Sequence, residues 1–466
     1  MLFSSLVFIF RFLILFMLIY FLTPEKYRNM VLFAGSIIFY AAGEPRFVMI
    51  MLGSVCLNYV FYLLIRKSAE KRRKLFLVLM LIFNFALLFV FKYWDFAAGT
   101  LQTLSGHTLM PLLKLALPLG ISFYTFQIVS LQADSYRALQ SGQETEQIPF
   151  LTFATYIIMF PQLVAGPILK YDEVATEMKH RICSAERTED GFKLFIFGLA
   201  LKVLLANKIG TLWLSVCMAG MDSLSVPMAW LGAFSYSFQI YFDFWGYSLM
   251  AMGLGEMLGF HFPENFHDPY LARTMTGFWR RWHITLGRWF REYVYIPMGG
   301  SRCSRGKTFR NILVVWALTG LWHGASWNFV LWGLLFFVLI SLEKAFYGKY
   351  LERNAIAGHL YMIILIPVTW VIFAITDFGN LVSYLRCMIG MPPAGVLTGA
   401  DQFLRYLRQY GLLLGFCVLF STALPMMLYQ KYRRHWWMLL VLFAAFVFSV
   451  YEIANGSSNP FLYFRF

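Results

Sequence analysis

Charge is what this sequence has least of. Asp, Glu, Lys and Arg make up 14% of the 466 residues, where a soluble globular chain carries about one quarter. That is too few to coat a water-facing surface, and 59% hydrophobic residues are too many for a soluble core to hide. The six cysteines, Cys56, Cys183, Cys217, Cys303, Cys387 and Cys417, form no C-x-x-C. Their scatter argues against a zinc site and against a disulfide framework. The sequence has no H-E-x-x-H, no Walker phosphate loop and no G-x-S-x-G. No Ser or Cys stands beside a His as a nucleophile pair. No metal and no resident cofactor is expected. Internal repeats, low-complexity tracts and a soluble domain are also missing, and the absence of a recognisable inverted repeat weighs against a transporter.

What is present is apolar length. A membrane helix needs about 20 mostly apolar residues. Candidate runs are 2–22, 30–42, 47–65, 75–91, 112–131, 150–164, 192–206, 211–220, 228–260, 312–346, 360–375, 406–428 and 436–453. Some are short and some long enough to break in two. The expected fold is all-α and polytopic, with about ten to twelve spans and one or two re-entrant pieces. One integrated membrane domain over residues 1–466 is expected. The run 2–22 carries Arg11 inside it and reads as the first membrane helix rather than a removed signal peptide.

The net charge is +15. Its Lys and Arg sit between apolar runs, so the basic balance points to cytoplasmic loops and anionic lipid heads rather than nucleic acid. The clearest cluster, 66–74, is placed in the cytoplasm, which puts the N-terminus outside.

Several runs are interrupted. Phe160-Pro161-Gln162-Leu163-Val164-Ala165-Gly166-Pro167 brings two prolines and a glycine to membrane depth, where irregular backbone survives only inside protein or beside a wet cavity. Asp243 lies within a long apolar run and Glu256 follows. Each reads either as part of a structural ion pair or helix contact, or as the lining of a cavity. The segment 273–310 holds nine Arg and Lys against one acid, Glu292, interleaved with Trp279, Trp282, Trp289, Tyr293 and Tyr295. Phe278-Trp279-Arg280-Arg281-Trp282-His283 reads as an amphipathic helix lying along the interface. The alternative is that Arg280 and Arg281, flanked by Trp279 and Trp282, bind the phosphates of a cytosolic nucleotide-like donor.

His283 ends that stretch. A second histidine stands in Leu318-Thr319-Gly320-Leu321-Trp322-His323-Gly324-Ala325-Ser326-Trp327-Asn328, in apolar surroundings. Gly320 and Gly324 leave one helix face bare for close approach of a neighbour, and Trp327 is expected one turn beyond His323 on its side. A membrane histidine is either satisfied by a backbone carbonyl or functional. With other chemistries excluded, a histidine acting as general base on an acceptor hydroxyl remains, and an imidazole titrates near neutrality.

These segments resemble the membrane-bound O-acyltransferase family. The likeness runs from 118 to about 332 through Pro118-Leu119-Gly120-Ile121-Ser122-Phe123-Tyr124-Thr125-Phe126, 160–167, Tyr241-Phe242-Asp243-Phe244, Pro263-Glu264-Asn265-Phe266 and the stretch from Phe278 to His323. It is nearest the bacterial branch that O-acetylates polysaccharides such as alginate. The pattern departs at Trp245, where a small residue is usual, at Leu249, where an acid is usual, and at Ala374, where an Arg is frequent.

The resemblance implies a ring of tilted helices around a tunnel, with His323 as catalytic base and His283 assisting. It implies Asp243, Trp322, Trp327 and Asn328 as tunnel residues. It implies an acetyl group drawn from acetyl-CoA or an acyl-carrier thioester, an exported polysaccharide as final acceptor, and an extracytoplasmic SGNH-type acetyltransferase as partner, all at a bacterial cytoplasmic membrane. The aromatic tail, 459–466, reads as an interfacial anchor, and by the resemblance makes Tyr463 a candidate acyl relay. Two rival readings are D-alanyl transfer to teichoic acid from a carrier protein, and a transporter of a polymer or lipid-linked precursor.

Overall fold

A computed structural model describes residues 1–143, 146–392, 400–456 and 462. Among these no β-strand occurs. The one pairing of that kind is an isolated antiparallel bridge between Phe266 and Trp282. Among the described residues, six helices are long and apolar enough to cross a membrane, including Val48–Lys67, Ala355–Ala374 and Trp436–Ala454. The last shows why the charge count is low. Leu440, Phe443 and Phe448 all point outward from it, an arrangement that suits lipid and not water.

The chain packs as two compact units, residues 1–192 with 251–263, and residues 193–250 with 264–466. In the first unit, Ile121–Gln140 begins with twelve consecutive buried residues. A helix buried all round is a core helix. Its Gln132 side chain donates to Asn58 Oδ1 at 3.1 Å, and Asn58 and Asn84 exchange amide hydrogen bonds at 3.0 and 2.7 Å. Amides thus satisfy one another across helices where no water competes. The apolar run 112–131 is not one span. The chain is non-helical through Leu119, and the helix starts only at Ile121, after Gly120 takes a φ of +75°. A Cβ there would also sit 2.4 Å from the Leu163 carbonyl oxygen, so glycine is required twice over. The stretch 160–167 is interrupted as expected: Phe160–Leu163 is a single short helix set off from Phe150–Ile158, and 164–170 is non-helical. Glu256 pairs with Arg187 at 2.9 Å, the structural reading.

The second unit holds every described candidate site residue. The run 312–346 divides into Arg305–His323 and Trp327–Leu342, broken at Gly324 to Ser326. The two helices touch backbone to backbone. A Cβ on Gly320 would lie 2.4 Å from the Phe329 oxygen, and one on Gly333 would lie 2.4 Å from the Trp316 oxygen. The bare face expected at Gly320 is therefore in use. Gly324 lies past the helix end, and the Phe329 ring fills its side-chain space. Residues 228–260 do not break. Val226–Met257 is one helix of 32 residues, about 48 Å long at 1.5 Å per residue.

Gly320→Ala drives a methyl group into the Phe329 carbonyl. Overpacking of this kind costs about 1–3 kcal/mol. The expected outcome is a lower midpoint of thermal unfolding in detergent, and an unchanged midpoint would refute the contact.

Candidate active site

His323 is the last residue of Arg305–His323, and its ring is 4% exposed. Three aromatic rings stand edge-on to it: Trp322 at 5.0 Å, Trp332 at 5.0 Å and Phe373 at 5.2 Å between centroids. Because the helix ends there and the chain folds back, the next helix lays Trp332 against the imidazole. Asn328, one turn before Trp332, is fully buried. Its Nδ2 donates to the carbonyl oxygens of Ile372 and Phe373 at 3.2 and 3.0 Å, at the last turn of Ala355–Ala374. That bond fixes Phe373 beside His323 and satisfies carbonyls a helix end leaves open. Asn328 Oδ1 and Trp332 Nε1 are buried with no hydrogen-bond partner among the described residues. Buried polar atoms are ordinarily paired, so both suit a polar group brought in by substrate.

His283 is held by a different device. Residues 265–267 pair with 281–284: His267 N–H donates to the Arg281 oxygen at 2.9 Å, and Ile284 N–H to the Asn265 oxygen at 3.0 Å. Within this clasp His283 takes a left-handed conformation, φ 47° and ψ 52°. That conformation is uncommon away from glycine and is characteristic of functional positions. Asn265 Oδ1 receives the Thr285 hydroxyl at 2.9 Å and stands 3.1 Å from His283 Nδ1, while Asn265 Nδ2 donates to Ser248 Oγ at 3.2 Å. An amide oxygen only accepts, so the neutral ring carries its proton on Nδ1 and keeps its lone pair on Nε2. Phe244 packs edge-on to His283 at 4.7 Å, and Trp322 lies 5.8 Å from it. Trp322 thus touches both imidazoles.

The remaining candidates divide. Asp243 is buried, and Lys202 Nζ lies 2.6 Å from its Oδ1, with both side chains no more than 2% exposed. Removing one partner from such a pair costs about 3–5 kcal/mol, because the other is left charged and alone. Trp282 is 1% exposed and packs against Phe266, Phe278 and Trp370. Trp279 packs against Trp316, Trp332 and Phe336. The segment 278–283 is therefore not an amphipathic interfacial helix. Its helical part, Met275–Trp279, is five residues long and turns its rings inward. Arg280 is exposed and Arg281 half-buried. Trp327 is 50% exposed and starts a new helix, so it does not continue the His323 face. Tyr463 lies outside the described residues.

Some residues that build the site carry no obvious sequence signal. Glu343, buried at the end of Trp327–Leu342, accepts from the backbone N–H groups of Met275 and Thr276 and from the Thr276 hydroxyl at 2.8 Å. A carboxylate at a helix start satisfies open donors, and here it fixes the short helix that leads to His283.

The family model for membrane-bound O-acyltransferases matches residues 57–385. This chain belongs to the membrane-bound O-acyltransferase family. The protein named probable alginate O-acetylase AlgI of Pseudomonas aeruginosa is 37% identical over 380 residues, covering 80% of this chain and 72% of its own length. The peptidoglycan O-acetyltransferase of Helicobacter pylori is 31% identical over 530 residues, covering 100% of this chain and 98% of its own. A teichoic acid D-alanyltransferase of Bacillus subtilis is 27% identical over 270 residues, 56% of this chain and 65% of its own. Membership of an acyltransferase family makes this chain an enzyme and sets the transporter reading aside. Both histidines and their partners Asn265 and Trp332 fall inside the matched stretch.

Asn265→Ala removes the acceptor that orients His283. Misplacing a reacting group by about 1 Å costs on the order of 100-fold. A drop of that order in acyl transfer, at equal protein level, is expected from initial rates of the purified variant. Full activity would show that the bond does not matter to the reaction.

Proposed function

We propose that the chain moves acetyl groups from a cytosolic thioester, acetyl-CoA, across a bacterial cytoplasmic membrane for O-acetylation of an exported polysaccharide. The observation that carries this reading is His323: a nearly enclosed imidazole inside the family-matched stretch, with the buried polar atoms of Trp332 and Asn328 on the adjoining helix. The O-acetylase names of relatives at 31% and 37% identity support the acyl group and the acceptor class.

His323 takes the proton of an acceptor hydroxyl. The freed oxygen attacks the thioester carbonyl, the carbon–sulfur bond breaks, and the thiolate leaves with the proton returned by the imidazolium. Trp332 Nε1–H donates to the carbonyl oxygen as negative charge collects there. His283 helps to position or polarise the donor or acceptor, and the half-buried and exposed guanidinium groups of Arg281 and Arg280 attract donor phosphates. Tyr463 is the relay: its phenol is a poor nucleophile near neutral pH without a base, which His323 supplies. An extracytoplasmic serine hydrolase-like partner of the SGNH class then carries the acetyl group from Tyr463 to the polymer. D-alanyl transfer is the second reading. The teichoic acid relative favours it, but that match covers little more than half of this chain.

His323→Ala is expected to lower polymer acetylation by about 100- to 10,000-fold with the protein still in the membrane, the contribution typical of a general base. Normal acetylation in that variant would remove His323 from the mechanism. For the relay, intact-mass analysis of the C-terminal peptide from turning-over protein should find one acetyl group, absent in Tyr463→Phe. A Tyr463→Phe protein with full polymer acetylation would end the relay reading.

A further inference from the structure

The close approach of Lys202 to Asp243 is to one carboxylate oxygen. Asp243 Oδ1 faces Lys202 Nζ at 2.6 Å, and Lys202 also donates to Asn207 Oδ1 at 2.7 Å. The other oxygen, Oδ2, accepts the backbone N–H of Leu462 at 2.8 Å. Leu462 is 219 residues further along the chain and is 6% exposed. Its N–H, like any buried backbone donor, needs an acceptor. A carboxylate supplies a charge-assisted bond, stronger than one to a neutral carbonyl.

Neighbouring contacts carry the chain end to this place. The last helix, Trp436–Ala454, packs against Leu201–Asn207, a stretch wound as a π-helix. Single π-turns of this kind occur frequently at functional sites, and this one brings Lys202 and Asn207 together. Lys208 Nζ meets Glu452 Oε1 at 2.6 Å, near the end of the last helix. Met438 and Leu442 join a buried cluster with Ile196 and Tyr429. The glycines beside the pair allow it. A Cβ on Gly246 would lie 2.6 Å from the Gly198 oxygen and 3.2 Å from Lys202 Cβ, so the helix bearing Asp243 lies directly on the segment bearing Lys202.

We infer that Asp243 is a dock for the C-terminal tail. It holds the tail through the Leu462 main chain, and Lys202 keeps the carboxylate charged and aimed. Asp243 is then a positioning residue, acting on the reaction through the tail and not through the reacting atoms. The dock stands on the geometry alone, while its purpose rests on the reading of Tyr463, the next residue, as relay. Recognition through a main-chain N–H makes the dock indifferent to the side chain at position 462. It also gives the buried ion pair a task beyond cohesion.

The test compares two charge-neutral doubles, because Asp243→Ala alone leaves Lys202 charged and uncompensated in the interior, a change that threatens the fold itself. Lys202→Met with Asp243→Asn keeps an oxygen acceptor for Leu462. Lys202→Met with Asp243→Leu has none. Hydrogen–deuterium exchange of the C-terminal peptide is followed by mass spectrometry in detergent, with the full chain. The expected result is slow exchange of the Leu462 amide in wild type and in the Asn double, and exchange faster by about 100-fold in the Leu double. Equal exchange in the two doubles, slow or fast, overturns the dock. In the same samples, acetyl on Tyr463 is measured after incubation with acetyl-CoA. A protected Leu462 amide with no acetyl on Tyr463 leaves the dock standing and sinks the relay. An exposed amide in wild type with Tyr463 acetylated does the reverse.

Discussion

The crossing of Gly320 and Gly333 is the contact on which the candidate site depends. Two helices whose backbones come this close have one mutual setting, because no side chain lies between them to give. That setting ends one helix at His323 and carries Trp332 to within 5.0 Å of its ring. The Phe329 ring occupies the space a side chain at 324 would need, so the chain must leave the helix there. The position of the imidazole is therefore a consequence of three absent side chains.

Around that contact, the two histidines are held in contrasting ways. His323 is framed by aromatic edges, which set its plane and exclude bulk water. His283 is fixed by a directed hydrogen bond from a clasp of paired backbone, and Asn265 in turn holds Thr285 and Ser248. A buried polar network of this kind is rigid when each member is satisfied. One imidazole is thus placed by shape and the other by polarity, with Trp322 in contact with both. Such a pair suits a reaction in which one ring changes its proton and the other keeps its orientation.

Periodicity and residue type made the helical class, the close face at Gly320 and the two histidines legible from sequence, but not the break between 323 and 327, across which Trp327 was expected to continue the His323 face. They also raised an ion pair as one reading of Asp243, but not its partner. Lys202 sits unremarked inside the apolar run 192–206, and only the π-turn at Leu201–Asn207 shows it aimed inward. The Trp279 and Trp282 rings misled for a related reason. Trp beside Arg resembles an interface, yet the helix stops after five residues at Trp279, Trp282 beyond it is buried, and Trp279 packs against Trp316, Trp332 and Phe336. Asn265 was visible only as part of a motif, because its role depends on pairing between 265–267 and 281–284, which has no periodic signature. The run 112–131 read as one span because hydropathy does not register that its first half is non-helical.

The tail contact bears on how a buried charge pair can be retained in a membrane enzyme. Two charges out of water contribute little net stability, and an apolar pair of the same volume often does as well. Retention is easier to understand if one oxygen of the carboxylate serves something an apolar side chain cannot. Leu462 offers that: a main-chain donor needs an acceptor, and only a polar group deep in the unit provides one. Lys202 and Asp243 then form a fixed point that meets the main chain of Leu462. On that view one carboxylate oxygen serves the ion pair and the other serves the main chain at Leu462, a division of labour that an apolar pair could not reproduce.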